Sequence, residues 1–420
     1  MNVFSYIIIA ALLLDFTIGI IADTLNLKAL KLEPPDELEG IYGQDEYRRS
    51  QQYTSTLTKF HFVTNSFNLF LLLIFWFAGG FNWLDILVRS WGFIPLVNGL
   101  LYIGIILIAY TLISVPFSIY ATFVIEERFG FNKTTLRLFV IDRIKGLILS
   151  LVLGIPLLAC ILTLFDYAGS YAWLYCWIIV TLYLVVVQFI APVWIMPLFN
   201  KFAPIGAGEL KESIMGYIRS VGYEANKIFV IDGSRRSTKS NAFFTGFGRN
   251  KRIALFDTLI DKHTVPEIVA VLSHEVGHYK KKHILQGMLI SILHTGIVLC
   301  LLSIFLGFPG LYEAFYMEQP SIYAGLLFFS LLYIPIEMVL SIVVNIWSRR
   351  MEYEADKFTA QTIEKPGSLI NALKKLSADN LSNLTPHPFY VFLNYSHPSL
   401  LQRIQAIQQN KTDMIKNKAN

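Results

Sequence analysis

Long apolar runs alternate with polar segments along most of the 420-residue chain. A helix that crosses a bilayer needs about 20 consecutive, mostly apolar residues. The runs that reach this length are 3–22, 61–81, 97–122, 144–165, 171–195, 284–308 and 322–347. The first run lacks a basic leader and contains Asp15, so we interpret it as a retained helix and not as a signal peptide. The pattern predicts an all-α polytopic membrane protein with seven transmembrane helices.

Composition strengthens this interpretation. The chain is 54% hydrophobic and only 15% charged, whereas soluble domains are about 25% charged. Its three cysteines, Cys160, Cys176 and Cys300, lie in apolar runs, so the sequence offers neither a cysteine-based metal site nor a disulfide framework. We expect a lipid bilayer around the protein, no nucleic-acid partner and a monomeric state.

The basic residues are distributed unevenly between the loops. Segments 23–60 and 123–145 hold five each, segment 200–282 holds fourteen, and the tail 348–420 holds ten. The alternate loops hold only Arg89, which completes the 35 basic residues of the chain. By the positive-inside rule, the N-terminus lies outside and the two long basic segments are cytoplasmic. This alternation also supports the count of seven spans.

The polar segments divide the chain into four regions. Residues 1–199 form an N-terminal membrane region of five helices with an extended cytoplasmic loop at 23–60, and residues 200–282 form a cytoplasmic segment. Residues 283–347 supply the last two transmembrane helices, and residues 348–420 form a second cytoplasmic segment.

Both cytoplasmic segments contain patterns typical of regular structure. In the first we expect a helix over 208–221, strands over 227–231 and 252–256, a hairpin turn at 248–251 and a helix over 265–278. In the tail we expect helices over 349–363, over 368–380 and from Ser399 onward.

Residues 274–278 read His274-Glu275-Val276-Gly277-His278 at the edge of an apolar run. On a helix, this H-E-x-x-H spacing places the two histidines one turn apart on one face. Two neutral imidazoles in this arrangement bind Zn²⁺, and the glutamate between them reaches the metal's water as a general base. Gly277 lets the backbone of a neighbouring element approach closely. The motif predicts a zinc site.

A catalytic zinc site needs a third protein ligand and one open position. His283 does not have the spacing of a third histidine ligand. Glu337 lies about ten residues inside the last span, where it is either paired within the bundle or functional. Glu352 fits, because it follows the last span on the side where His274 and His278 precede the sixth span.

Two further carboxylates lie beside Glu352. Asp356 is one helical turn on, where it can accept the free N–H of a ligating imidazole. Glu354 points about 200° away from Glu352, and we interpret it as solvated or ion-paired. An ordinary charged helix face remains the alternative for Glu352 and Asp356. His294 lies within a span, and we interpret it as a hydrogen-bonding residue of the bundle.

At this point the chain resembles the type I CAAX prenyl endopeptidases, which are integral-membrane zinc metalloproteases. The segments that carry the resemblance are 126–133, 240–246, 252–259, 273–278, the Glu352-x-x-x-Asp356 pair, and Ser396-His397-Pro398 with Arg403. The resemblance implies seven helices around a large intramembrane chamber and a gluzincin-like cytoplasmic zinc protease domain that contains a small β-hairpin. It implies one Zn²⁺ per chain, held by His274, His278 and Glu352 and supported by Asp356 and Arg403.

The resemblance also implies an activity. The expected substrate is a peptide or protein, prenylated or otherwise hydrophobic, that is cut near its C-terminus with Glu275 as general base. We expect His397 to donate to the developing oxyanion, with His387 as the second choice. An edge strand could align the substrate through backbone hydrogen bonds, although a plain core hairpin is the alternative. Its residues are Asn241, Ala242, Phe243 and Phe244.

Two other functions stay open from the sequence. One is a membrane quality-control metalloprotease that cuts misfolded or apolar segments without need of a prenyl group. The other is a catalytically silent transporter or scaffold. The chain ends in Lys416-Asn417-Lys418-Ala419-Asn420 without a dilysine retrieval signal, so we expect a bacterial homologue in an inner membrane.

Overall fold

The computed structural model describes residues 1–31, 33, 43–223, 228–245 and 252–419, and it is mainly helical. The helices are α1 (Val3–Lys28), α2 (Gln44–Phe77), α3 (Gly80–Ser90), α4 (Pro95–Tyr120), α5 (Leu136–Tyr167), α6 (Ala172–Ile190), α7 (Met196–Phe199), α8 (Glu209–Ser220), α9 (Asp257–Lys262), α10 (Val265–Lys280), α11 (His283–Phe305), α12 (Pro309–Glu313), α13 (Ile322–Leu332), α14 (Ile334–Thr362), α15 (Gly367–Asp379), α16 (Pro388–Asn394) and α17 (Leu400–Ala419). The strands are β1 (Phe202–Pro204), β2 (Ile228–Ile231), β3 (Ala242–Thr245) and β4 (Arg252–Phe256).

The predicted membrane spans are present as long apolar helices. In the described ranges, six helices are long and apolar enough to cross a membrane, and α13 with α14 makes up to a seventh crossing. These two helices meet at an angle of 56°, where an unbroken span was expected. Pro335 explains the break, because it stands in the first turn of α14 and has no backbone N–H to continue a helix.

The predicted loop at 23–60 contains more helix than expected. Helix α1 continues to Lys28, and α2 begins at Gln44. Tyr47 and Tyr53 on the polar first turns of α2 are buried in a cluster with Phe129 and Phe131. This local packing extends α2 well beyond the apolar run that the hydrophobic pattern detects.

The two ends of the bundle have different partners. The Asn2 side chain donates to Gly310 O at 2.7 Å, so the start of α1 lies beside α12. At the other end of α1, Asn26 Oδ1 accepts from the His387 backbone N–H at 3.1 Å. The N-terminus therefore lies at the opposite end of the bundle from the tail that follows α14.

The short strands form one mixed sheet in the order β1-β2-β4-β3. The two strands predicted at 227–231 and 252–256 are present as β2 and β4 and pair in parallel, whereas the hairpin turn predicted at 248–251 falls between β3 and β4 in the sequence. The antiparallel pair is β3 with β4. The expected turn at 248–251 lies outside the described residues. The predicted small hairpin is thus part of a larger sheet, in which β3 is an edge strand.

A cavity of about 630 Å³ lies between α1, α2 and α14. Its lining includes several polar groups within the membrane bundle: Asp15, Asp23, Asn65, Asn68 and Glu337. Glu337 Oε2 lies 3.0 Å from His294 Nε2, and His294 also contacts the Tyr333 hydroxyl at 3.2 Å. A polar cavity at this depth is consistent with the expected chamber. The contacts confirm His294 as a hydrogen-bonding residue of the bundle.

Candidate metal centre and catalytic cleft

Helix α10 carries the H-E-x-x-H motif and is fixed at its start and along one face. The Thr264 side chain and the Glu267 carboxylate form a capping box, in which Thr264 N–H donates to Glu267 Oε2 at 2.9 Å. Ile268, Leu272 and Val276 follow at four-residue spacing and are buried in the core around the sheet. With that face buried against the sheet, the two motif histidines lie at a cleft between α10 and α14.

Gly277 allows α14 to lie directly against α10. A Cβ atom at Gly277 would lie 3.2 Å from both Cα and O of Ala355 and 3.2 Å from the ring of Phe358. Real Cβ atoms rarely approach other atoms so closely. The glycine therefore sets the close spacing that brings Glu352 and Asp356 to the two histidines, as the motif predicted.

His274, His278 and Glu352 converge with one ligand atom each within 4.8 Å of the others. The two Nε2 atoms are 3.1 Å apart, and each lies 3.3 Å from a different oxygen of Glu352. A tetrahedral zinc ion with ligand distances of about 2.0–2.2 Å would separate its ligands by about 3.3 Å. The residues present therefore fit the ion in both chemistry and spacing.

A carboxylate and a guanidinium lie behind His274. Asp356 Oδ1 is 2.9 Å from His274 Nδ1, so the carboxylate lies beside the ring nitrogen that faces away from Glu352. Arg403 on α17 donates to both oxygens of Asp356 at 2.7 and 2.8 Å. Its Nη1 also lies 3.7 Å from Glu352. The structure thus brings together Asp356 and Arg403, the two predicted supporting residues.

The same contacts perturb the pKa of His274. Burial by itself lowers this pKa, but hydrogen bonds with Asp356 and Glu352 outweigh burial and raise the pKa to about 9. Without a metal, the ring therefore holds a proton at neutral pH. Metal binding must release that proton, so metal affinity falls as the pH falls.

The cleft around this centre has a volume of about 450 Å³ and also contains Glu275, His397, Asn241 and Ala242. His397 Nε2 lies 3.2 Å from Glu352 Oε1, and the His397 side chain is 64% exposed. His387, the second choice for the same role, instead caps α16 by accepting from a backbone N–H through Nδ1.

Strand β3 borders the cleft and pairs, within the described part of the chain, only with β4. Asn241 and Ala242 line the cleft, whereas the Phe243 ring lies against Phe256 with centroids 6.0 Å apart. The Phe244 side chain lies outside the described residues, although its backbone pairs with Ile253. Of the predicted substrate-binding residues, the structure places two at the cleft.

The sequence did not predict the contacts behind His278. His283 Nδ1 lies 3.0 Å from His278 Nδ1, and His283 Nε2 lies 3.3 Å from Glu354 Oε2. Helix α10 ends at Lys280, and Lys282, which has a φ of 61°, is the N-cap residue that precedes α11. This break turns His283 back beside His278. The basic Lys280-Lys281-Lys282 run between two helical patterns was the available signal.

Comparison with known families matches both halves of the chain. Residues 23–201 match the family described as CAAX prenyl protease N-terminal, five membrane helices. Residues 204–411, which include the whole candidate metal centre, match Peptidase family M48.

Individual relatives match over nearly the full length. The CAAX prenyl protease 1 homolog of Oryza sativa subsp. japonica is 35% identical over 404 residues, covering 92% of this chain and 93% of that protein. The Homo sapiens homolog is 32% identical over 426 residues, covering 90% and 89%. The crystal structure of S. mikatae Ste24p matches with a TM-score of 0.91 at 32% identity, covering 97% of this chain and 99% of that one.

Proposed function

We propose that this chain, which belongs to peptidase family M48, cuts prenylated or otherwise hydrophobic proteins near their C-termini. It is a membrane zinc metalloprotease. The observation that carries the assignment of the site is the convergence of His274, His278 and Glu352 at the spacing of tetrahedral zinc ligands. We propose that these three residues hold one zinc ion per chain.

The remaining residues of the cleft divide the chemistry between them. A zinc ion at the three ligands supplies Lewis acidity to the attacking water and the scissile carbonyl. Glu275, half-buried in the cleft, takes the proton of that water and passes it to the leaving amine. His397 stands at the exposed mouth of the cleft and donates a hydrogen bond to the oxyanion that develops on the carbonyl.

The free edge of β3 supplies a way to hold an extended substrate. Phe256 N–H donates to Asn241 O at 3.1 Å, so in this antiparallel pair the backbone groups of Ala242 and Phe244 point away from β4. Ala242 N–H is instead occupied by the Asn241 side-chain oxygen at 2.8 Å. A substrate carbonyl can replace that oxygen, which adds the peptide as a further strand beside the metal centre.

The preference for a prenylated substrate rests on two observations. The relatives at 32–35% identity include proteins named CAAX prenyl protease 1 or its homolog. The cavity of about 630 Å³ in the bundle has apolar side chains in its lining beside the polar ones, among them Leu12, Phe16 and Leu72. The comparisons do not favour a quality-control protease that ignores the prenyl group. We further propose a monomer whose N-terminus lies outside and whose catalytic segments are cytoplasmic. The bacterial inner membrane stays a prediction.

Matched peptides with and without an isoprenoid on the same cysteine test the substrate, using purified protein in detergent or vesicles. We expect faster cleavage of the prenylated peptide, with the cut near its C-terminus. Equal cleavage of both peptides would remove the prenyl requirement.

A Glu275→Gln variant tests the chemistry. We expect it to retain zinc at one ion per chain while cleavage falls about 10²–10⁴-fold, because general-base catalysis typically contributes that factor. Glu212→Gln, an exposed position in the first turn of α8, is the matched control and should leave cleavage unchanged. Unchanged cleavage in Glu275→Gln contradicts the assigned role.

A further inference from the structure

The two histidines of the metal centre are held from behind in different ways. His274 is backed by Asp356, a carboxylate in direct contact with Nδ1. His278 is backed by another imidazole, since its Nδ1 lies 3.0 Å from Nδ1 of His283. Nε2 of His283 lies 3.3 Å from Glu354 Oε2. Each ligand therefore has a carboxylate behind it, but for His278 the carboxylate acts across an intervening ring.

We propose that His283 and Glu354 are positioning residues that orient His278 and fix its tautomer for the metal. This inference rests on the proposed zinc site and adds to it two residues that are not among its three proposed ligands.

The tautomers follow from the donor and acceptor rules of imidazole. If Nε2 of His278 binds a metal, Nδ1 must carry the proton and donate it. His283 can accept only through an unprotonated Nδ1, so its own proton sits on Nε2. That N–H points at Glu354, whose carboxylate only accepts. One arrangement of protons satisfies the whole chain His278–His283–Glu354, and it leaves Nε2 of His278 free for the metal.

The local structure holds the intervening ring in place. His283 is only 4% exposed, in the first turn of α11 directly after the turn at Lys282. Glu354 is 41% exposed and is also held by Arg350, whose Nε lies 3.3 Å from Glu354 Oε1. Burial and one defined partner on each nitrogen therefore fix the orientation of the His283 ring. Residues that back a metal ligand in this way typically change metal affinity about 10–100-fold when replaced.

Zinc affinity, measured by competition with a chromophoric chelator, tests the proposal in the purified full-length protein. His283→Phe keeps the ring's bulk but removes the acceptor, and we expect the zinc Kd to rise about 10–100-fold. His283→Asn places an amide oxygen near the former Nδ1, so it should recover part of that loss. Glu354→Ala, at a partly exposed position where folding is not at risk, should raise the Kd less than His283→Phe.

A spectroscopic readout separates positioning from general loss of structure. The visible absorption bands of the Co²⁺-substituted protein report ligand geometry, and we expect them to shift in His283→Phe and to return toward the parent spectrum in His283→Asn. His263→Phe is the control. His263 is also a buried histidine (7% exposed), but it is not one of the described residues that line the cleft. It should leave both the zinc Kd and the Co²⁺ spectrum unchanged.

The outcomes distinguish this inference from the proposed function. A parent protein that binds no zinc overturns both. A parent protein that binds zinc, together with His283→Phe and Glu354→Ala variants of unchanged Kd and Co²⁺ spectrum, overturns the positioning role alone. Equal loss in His283→Phe and His263→Phe also overturns it, because a buried histidine anywhere would then have the same effect.

Discussion

Replacing Gly277 by alanine tests whether the contact between α10 and α14 sets the geometry of the metal centre. The added Cβ would meet Ala355 Cα and O at 3.2 Å, whereas ordinary van der Waals contacts are 3.4–4 Å. The two helices must therefore separate by a few tenths of an ångström, and Glu352 moves with α14. Overpacking of this kind costs about 1–3 kcal/mol.

The effect on zinc affinity depends on how the overpacking cost divides between the metal-free and the zinc-bound protein. Without metal, the helices can relax apart; binding draws Glu352 back toward the histidines and restores the clash. If about 1–2 kcal/mol of the cost returns on binding, the zinc Kd rises roughly 5- to 30-fold, since 1.4 kcal/mol corresponds to tenfold. Chelator competition measures the Kd, and thermal unfolding of the metal-free protein measures the remaining strain.

Gly216→Ala in α8 is the matched control. A Cβ there meets no atom within 4 Å, so the substitution should only add about 0.5–1 kcal/mol of helix stability and leave the zinc Kd unchanged. If Gly277→Ala binds zinc as tightly as Gly216→Ala, close helix approach does not control the metal centre and the reasoning is refuted.

Two further predictions concern the residues around the motif helix. Burial raises the pKa of Glu267, but the hydrogen bond from Lys375 and those from Thr264 outweigh burial and lower it. The stabilisation is therefore present above the unfolded pKa of about 4.5 and is lost as the pH falls through the lower folded pKa. Glu267→Gln should be less stable than the parent by about 1–2 kcal/mol at pH 7. Thermal unfolding measures this as a lower unfolding temperature of the variant, and the difference between the two proteins should disappear in acid. A difference in unfolding temperature that does not change with pH contradicts the prediction. Asp356→Ala should lower the unfolding free energy by about 3–5 kcal/mol in denaturant titrations, because it leaves the Arg403 guanidinium buried without its partner, and it should also weaken zinc binding; an unchanged transition midpoint excludes this role.

The spans, and the approach of Glu352 to the two motif histidines, could be predicted because each depends on one strong constraint. A bilayer requires long apolar helices, so the runs in the sequence locate them without any tertiary information. Two consecutive spans return the chain to the same side, which places Glu352 near the level of His274 and His278. The close fit at Gly277 could be anticipated because only glycine lets two helix backbones approach so closely.

The sheet and the bend depend on contacts that no local pattern records. The apolar runs at 227–231 and 252–256 predict two strands, but neither run records that β2 lies parallel to β4 or that β1 pairs on the other side of β2. Pro335 was visible in the sequence, but an isolated proline in a span is compatible with a kink of any size. The angle of 56° between α13 and α14 could therefore not be predicted from Pro335 alone.

Glu354 shows that a helical wheel can give the right direction and the right kind of contact and still miss one of the partners. Glu354 does point away from Glu352, as the 100° rotation per residue predicts, and it does form an ion pair. However, the turn at Lys282 places His283, the first residue of α11, within reach of that side of α14. Three carboxylates on alternate positions of one helix therefore lie around one proposed metal centre: Glu352 beside both histidines, Asp356 behind His274 and Glu354, through the His283 ring, behind His278. A rotation of α14 that improved any one of these contacts would weaken another, so the three together set the rotation of the helix at the metal.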